Sequence, residues 1–197
     1  MEVYINGEKT EASIENEKTV GEVLQSFALE FETNKARVIC IKLNEEQITS
    51  EDFESVSEKT LTHNEKFELD VVTEDAVKDS FHILSDKLVC VAEATEQVPS
   101  LFINGKGSDA NDTIKKIADV IDQFCHLATL ASLFPESFGS VKINNLSFNE
   151  FFNDFSPILS DFEKSLESQD TVLSGDLCEY EICPRLHEMA KALSSIK

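Results

Sequence analysis

The chain has 197 residues, 41% of them apolar, and its 38 acids against 17 Lys and Arg give a formal net charge of −21. That apolar content supports packed cores and excludes wholesale disorder; the charge repels nucleic-acid phosphate and anionic membrane, leaving a basic or amphipathic protein or peptide as the fitting partner. With no run of about 18 apolar residues, and a charged start, MEVYINGEKTE, too short of apolar residues for a signal peptide, the expectations are no membrane insertion and a cytoplasmic location.

The acid excess is spread evenly, net −10 through Val72 and −11 beyond it, so there is no acidic tail or basic arm. Cys40, Cys90, Cys125, Cys178 and Cys183 are odd in number and irregular in spacing, which predicts reduced, buried thiols.

Met1 to Asn6 alternates around Val3 and Ile5, Asn6-Gly7 is a pair that favours a two-residue turn, and Lys9 to Ile14 can return antiparallel. Thr19-Val20-Gly21-Glu22 has capping-box spacing, and Val20, Val23, Leu24, Phe27 and Phe31 follow at helical intervals. Arg37 to Leu43 is nearly continuous and β-branched, as in a central strand covered by that helix on one face. Polar residues run from there to Lys59, and Phe67 to Val72 alternates as a last strand.

Strand, strand, helix, strand, strand over residues 1 to 72 resembles the β-grasp, or ubiquitin-like, fold. Modifiers and sulfur carriers of that fold work through a free C-terminal Gly-Gly. This unit instead ends Val71-Val72-Thr73-Glu74 and continues into a helix. The resemblance therefore implies a docking module rather than conjugation or sulfur transfer.

From Thr73 the period becomes helical. Val77, Phe81, Leu84, Leu88 and Val91 share a face, with Thr73 or Asp75 as cap and Val98-Pro99 as the stop. Ser108 or Asp109 can cap a second helix striped by Ile114, Ile117, Ala118, Ile121, Phe124, Cys125 and Ala128. Ser147-Phe148-Asn149-Glu150 is a capping box before Phe151, Phe152, Phe155, Ile158, Leu159, Phe162 and Leu166, and Pro157 lies opposite that stripe, where it bends the helix without ending it. Asp170 can cap a last helix running to about Ser194. Residues 101–104 and 141–145, with Phe102 and Ile143, remain as a lid on the helices or part of a binding surface. The expected fold is α+β: a β-grasp-like domain, residues 1–72, followed by an antiparallel four-helix bundle, residues 73–197.

The stretch SGDLCEYEICPRLHEM, residues 174–189, concentrates chemistry-bearing residues. On a regular helix Ile182, Leu186, Met189, Ala190, Leu193 and Ile196 cluster within about 120°, and Cys178 and Cys183 lie about 140° apart at its edges. Those two sulfurs cannot converge on one zinc, whose bonds to sulfur are about 2.3 Å. His187, one turn after Cys183, can share a ligand set with it, yet no second Cys or His pair stands at ligand spacing. Any of His63, His82, His126 and His187 could meet a Cys in the fold. Catalytic residues, resident metal and cofactor are all expected to be absent. The rival reading, a Cys- or metal-dependent enzyme, requires Cys183, His187 and a carboxylate to meet in one concave pocket.

Glu179 falls within about 50° of the apolar centre of that helix, with Leu173, Leu177 and Tyr180 as a second apolar patch. It is expected to be partly desolvated and to need a backbone amide, a Tyr hydroxyl or a Lys, or else to line a recognition groove with Tyr180. Pro184, lacking an N–H, frees the carbonyl of Tyr180. Asp176 to Glu181 followed by Pro184 is similar to the last helix of small bacterial helical proteins. That resemblance covers some fifty residues from Val141 and carries no activity. The functional expectation is a non-enzymatic adaptor or regulatory module, with Glu179, Tyr180, Phe102 and Ile143 as partner-binding residues. The alternative among binding functions is a chaperone for secreted or flagellar subunits, holding an amphipathic segment in a groove lined by the Phe-rich third helix.

Overall fold

A computed structural model describes residues 1–11, 16–62 and 64–196. The described chain forms a mixed α+β protein with two compact units, Met1–Ala76 and Val77–Lys197. Ile14 and His63, both named above, lie outside the described residues.

In the first unit β1 (Glu2–Ile5) turns through Asn6 and Gly7, both at positive φ, into β2 (Glu8–Thr10). Asn6 and Gly are the residue types that tolerate a left-handed turn, so the hairpin follows from local sequence. Helix α1 (Val20–Thr33) starts at Thr19, whose hydroxyl accepts from the Glu22 N–H at 3.3 Å. The other half of the expected box is shifted, since the Glu22 carboxylate takes the Lys18 N–H. Strand β3 (Ala36–Leu43) is followed by β4 (Glu46–Gln47), α2 (Phe53–Ser57) and β5 (Lys66–Thr73). The two short elements β4 and α2 fall where only polar loop was expected. β4 is exposed and α2 turns only the half-buried Val56 to the core, so neither shows a hydrophobic period.

The five strands lie in the order β2-β1-β5-β3-β4, with β1 parallel to β5 and the other pairs antiparallel. β5, rather than β3, occupies the middle of the sheet. One face of the sheet packs on α1: Val3, Leu43, Phe67 and Leu69 meet Val20, Val23, Leu24 and Phe27 in a single core. A bulge between Val38 and Cys40 changes the pleat of β3 and leaves Ile39 about half exposed at 49%.

The second unit is a helical region: α3 (Glu74–Thr95), α4 (Val98–Ile103), α5 (Gly107–Ala131), α6 (Pro135–Phe138), α7 (Phe148–Glu167), α8 (Thr171–Asp176), a π-helical turn (Leu177–Ile182) and α9 (Cys183–Ser194). Its first helix buries all five residues of the expected stripe, and the Thr73 hydroxyl accepts from the Ala76 N–H at 3.1 Å. Residues 101–104 are not a loose lid. They belong to α4 and the turn after it, because Pro99 falls in the first turn of α4, where a missing N–H has no cost.

On α5 the stripe differs from the expected one. Thr113, Ile117, Val120 and Phe124 are buried and Ala118 is exposed. Ala fits either side of a helix, and the larger Val120 decides the face. The helix begins at Gly107 after Lys106, without a side-chain cap from Ser108 or Asp109.

The box at Ser147 is complete: the Ser147 hydroxyl accepts from the Glu150 N–H at 3.3 Å and the Glu150 carboxylate accepts from the Ser147 N–H at 2.9 Å. α7 runs on through Pro157, which is exposed. Phe148, outside the expected stripe, packs on Phe81 of α3 and Phe124 of α5 with ring centroids 5.8 and 5.3 Å apart, and Phe138 of α6 completes this aromatic core against Phe81. Residues 141–146 close a tight bridge, with Ile143 and Leu146 exchanging backbone hydrogen bonds around Asn144 and Asn145 at positive φ.

Candidate functional site

The last helical segment starts as expected, with the Asp170 carboxylate accepting from the Leu173 N–H at 3.0 Å. It then departs from a regular helix. Over Leu177 to Ile182 the backbone widens into a π turn, and the Cys183 N–H reaches the Cys178 carbonyl five residues back. Pro184 supplies a reason, since it brings no N–H for the Tyr180 carbonyl and a regular bond is missing at that point.

The extra residue in the turn resets the phase of everything before it. Cys178 and Cys183 are both buried, and so is the Ile182 to Ile196 face of α9. Glu179, expected near the apolar centre, is instead exposed and paired to the Tyr180 hydroxyl, a bond that with its charge raises the Tyr180 pKa. Tyr180 is 65% exposed, and Val172 and Leu173 at the start of α8 are exposed as well. The expectation that this half of the helix is buried on two faces assumed 100° per residue throughout, which a π turn does not obey.

After the turn, Cys183 and His187 lie one turn apart on α9, and the end of α3 comes to meet them. The Cys183 thiol approaches the Ala92 carbonyl at 3.5 Å and Glu96 Oε1 at 3.6 Å, and His187 Nε2 lies 3.6 Å from the same carboxylate oxygen. One ligand atom from each of Glu96, Cys183 and His187 lies within 4.8 Å of the others. Glu96 and His187 are exposed while Cys183 is buried. Burial first, and the neighbouring Glu96 second, push the Cys183 thiol up to about 11. A thiol held protonated at neutral pH is a poor nucleophile, although a bound cation would favour its thiolate.

Arg185, between these residues in sequence, anchors α9 to α7: its guanidinium bonds Asp154 at 3.1 Å and Glu181 at 2.8 Å and lies over the Phe155 ring. Buried Ser85 Oγ donates to the Ala190 carbonyl at 2.9 Å, tying α3 to α9. Both links fix the two elements that carry the cluster.

A second feature lies elsewhere in the helical unit. The C-terminal half of α5, α6 and the start of α7 enclose a groove of about 860 Å³, lined by Phe124, Cys125, Ala128, Phe138, Phe148 and Phe152 with Ser147 and Asn153 at polar positions. Phe148 and Phe152 are only half buried, so the Phe-rich helix presents part of its apolar surface to this groove. Acids Glu136, Glu150 and Asp154 adjoin lining residues in sequence and Asp122 lies two residues before Phe124, against one Lys, Lys142, and one His, His126.

Of the four residues expected to bind a partner, Glu179 and Tyr180 are exposed, Phe102 is half buried, and Ile143 is completely buried, a core residue under its own turn. The Cys183 and His187 spacing was visible in the sequence. Glu96 was not, because a lone Glu at a helix end carries no linear signal. Cys90 is exposed and Cys40 and Cys125 are half buried, so the expectation of buried thiols holds for Cys178 and Cys183 and fails for Cys90. Among the described residues no helix is long and apolar enough to cross a membrane.

No solved structure matches the chain. It is 21% identical over 193 residues, 98% of its own length and 96% of the relative's, to a protein of Treponema pallidum (strain Nichols) designated "Uncharacterized protein". Residues 1–73 match the family described as TP0873 N-terminal domain. Residues 79–192, more than half of the chain, match a second family, and the protein therefore belongs to the family described as Domain of unknown function (DUF8042).

Proposed function

We propose that this protein is a non-enzymatic cytosolic interaction module that holds a basic amphipathic helix of a protein partner in the groove between α5, α6 and α7, with chaperoning of an aggregation-prone segment as its specific form. The observation that carries this reading is the groove itself: about 860 Å³ of largely apolar space on a chain of net charge −21. A cleft of that size takes a few anchor side chains rather than a whole helix, and an amphipathic helix that lays its apolar face on a hydrophobic groove is a recurring mode of recognition. The acids around the groove favour Lys and Arg on the guest's polar face.

On the same reading residues 1–72 are a β-grasp-like docking domain. The strand order β2-β1-β5-β3-β4, the parallel β1–β5 pair and the helix across one face support that assignment. The four long helical segments from Thr73 onward act as a bundle, with Glu179 and Tyr180 as a further exposed contact surface and Phe102 at its margin.

Titration of the full chain into a panel of fluorescently labelled basic amphipathic helical peptides, read by anisotropy, tests the proposal. Saturable binding that weakens as salt rises, and that Phe152→Glu reduces by about tenfold or more, is the expected result. Binding unaffected by Phe152→Glu, or no binding to any peptide in the panel, refutes it.

A second reading has its own support. A metal-dependent enzyme requires Cys183, His187 and a carboxylate to come together, and Glu96 provides that carboxylate. The protonated thiol disfavours the nucleophilic-cysteine version. The groove between α5, α6 and α7 and the smaller one beside β3 are both lined by residues other than these three.

A further inference from the structure

We propose that Glu96, Cys183 and His187 form a zinc(II) site that clamps the end of α3 to the start of α9. Residues four apart on a helix leave the same face, so Cys183 and His187 offer sulfur and nitrogen side by side. Glu96 comes from a different element and closes the set. The distances suit the ion: both Cys183 Sγ and His187 Nε2 are 3.6 Å from Glu96 Oε1. Donors around a tetrahedral zinc with bonds of about 2.0 to 2.3 Å sit roughly 3.3 to 3.8 Å apart. The remaining pair, from Cys183 and His187, lies within 4.8 Å, and side-chain rotation closes that gap.

The donor types choose the metal. One thiolate, one imidazole and one carboxylate match zinc, whereas magnesium and calcium take oxygen. Burial sets the shape of the site. The sulfur of buried Cys183 forms its floor, and exposed Glu96 and His187 form its rim. Three protein ligands leave a fourth position facing solvent for water or for a donor from a partner.

A second observation points to the same place. The π turn ends at Ile182, immediately before Cys183, and such single-turn bulges within helices concentrate at functional sites. Without it Cys183 and the Leu186 to Leu193 face would keep a different phase relative to α8. The zinc inference makes no use of the groove: peptide binding and zinc binding can each fail without the other.

The test uses the full chain, stripped with a chelator and titrated with zinc against a chromophoric competitor, and in parallel with cobalt(II). One zinc per chain is expected, undisplaced by excess magnesium. The cobalt form is expected to show intense near-ultraviolet thiolate-to-metal absorption and the visible bands of a four-coordinate ion. Cys183→Ser removes the near-ultraviolet band, and Cys90→Ser leaves it unchanged. Because Cys183 is buried, the exposed substitutions Glu96→Gln and His187→Ala provide variants that keep the fold, and each weakens zinc binding by about tenfold or more. Absence of stoichiometric zinc, a cobalt spectrum without sulfur absorption, displacement by magnesium, or unchanged affinity in both exposed variants overturns the site.

Discussion

At the scale of single residues, capping and burial decide most of what can be measured. Ser147 and Glu150 satisfy each other's backbone N–H groups at the start of α7. Loss of a serine cap costs about 1 kcal/mol, so Ser147→Ala is expected to lower the denaturant midpoint by a corresponding amount. The two hydrogen bonds from Ser147 hold the Glu150 pKa below its ordinary value of 4.5. A carboxylate with a lowered folded pKa stabilises above its unfolded pKa, and that contribution disappears as pH falls through the folded value. Below pH 4.5 or so, Glu150→Gln is therefore expected to show a shallower loss of stability than the parent in a pH series of chemical melts. The thiols should separate just as plainly. Exposed Cys90 reacts first with a thiol reagent in the metal-free protein. Buried Cys178, pushed up to about 12 by desolvation and then by Cys183, reacts last and only on unfolding. A progress curve with all five thiols equally fast would contradict that burial.

Close approaches between elements set the next limit. Gly21 lies against α2, where an added Cβ would come within 2.8 Å of the Ser57 Cβ. Gly21→Ala is expected to destabilise the first unit even though alanine is the better helix former, and a rise in melting temperature would disprove that close approach. In the helical unit, Phe124 contributes both to the aromatic core with Phe148 and to the groove floor. Truncation to alanine there is expected to cost about 3 to 5 kcal/mol, measured by denaturant unfolding. The π turn shows how an element can hide from a sequence pattern. Leu177 to Ile182 contains no Gly or Pro, and only the missing N–H of Pro184 hints that the ladder is interrupted.

For the whole molecule, charge and division into units are the governing facts. A net charge of −21 on 197 residues implies self-repulsion, so moderate salt is expected to raise stability by screening it. Each unit encloses its own core, Phe67 and Leu69 in one and Phe81, Phe124 and Leu186 in the other. Residues 74–197, cut at the start of α3, are accordingly expected to keep helical circular dichroism and a cooperative melt.

The amino-acid sequence by itself determined the elements whose signals are local: the Asn6-Gly7 hairpin, the caps at Thr19, Ser147 and Asp170, and the apolar faces of α1, α3 and α9. Each depends on neighbours within four residues, where backbone sterics and helical period leave little choice. It also brought out the Cys183 and His187 pair and the Phe-rich helix. Only the tertiary structure decided which side chains those features meet. Glu96 joins the pair because α3 ends beside the start of α9, and Phe148 and Phe152 face a groove because α5, α6 and α7 come together there. Contacts between residues tens of positions apart are set by packing of whole elements, and no local pattern encodes them.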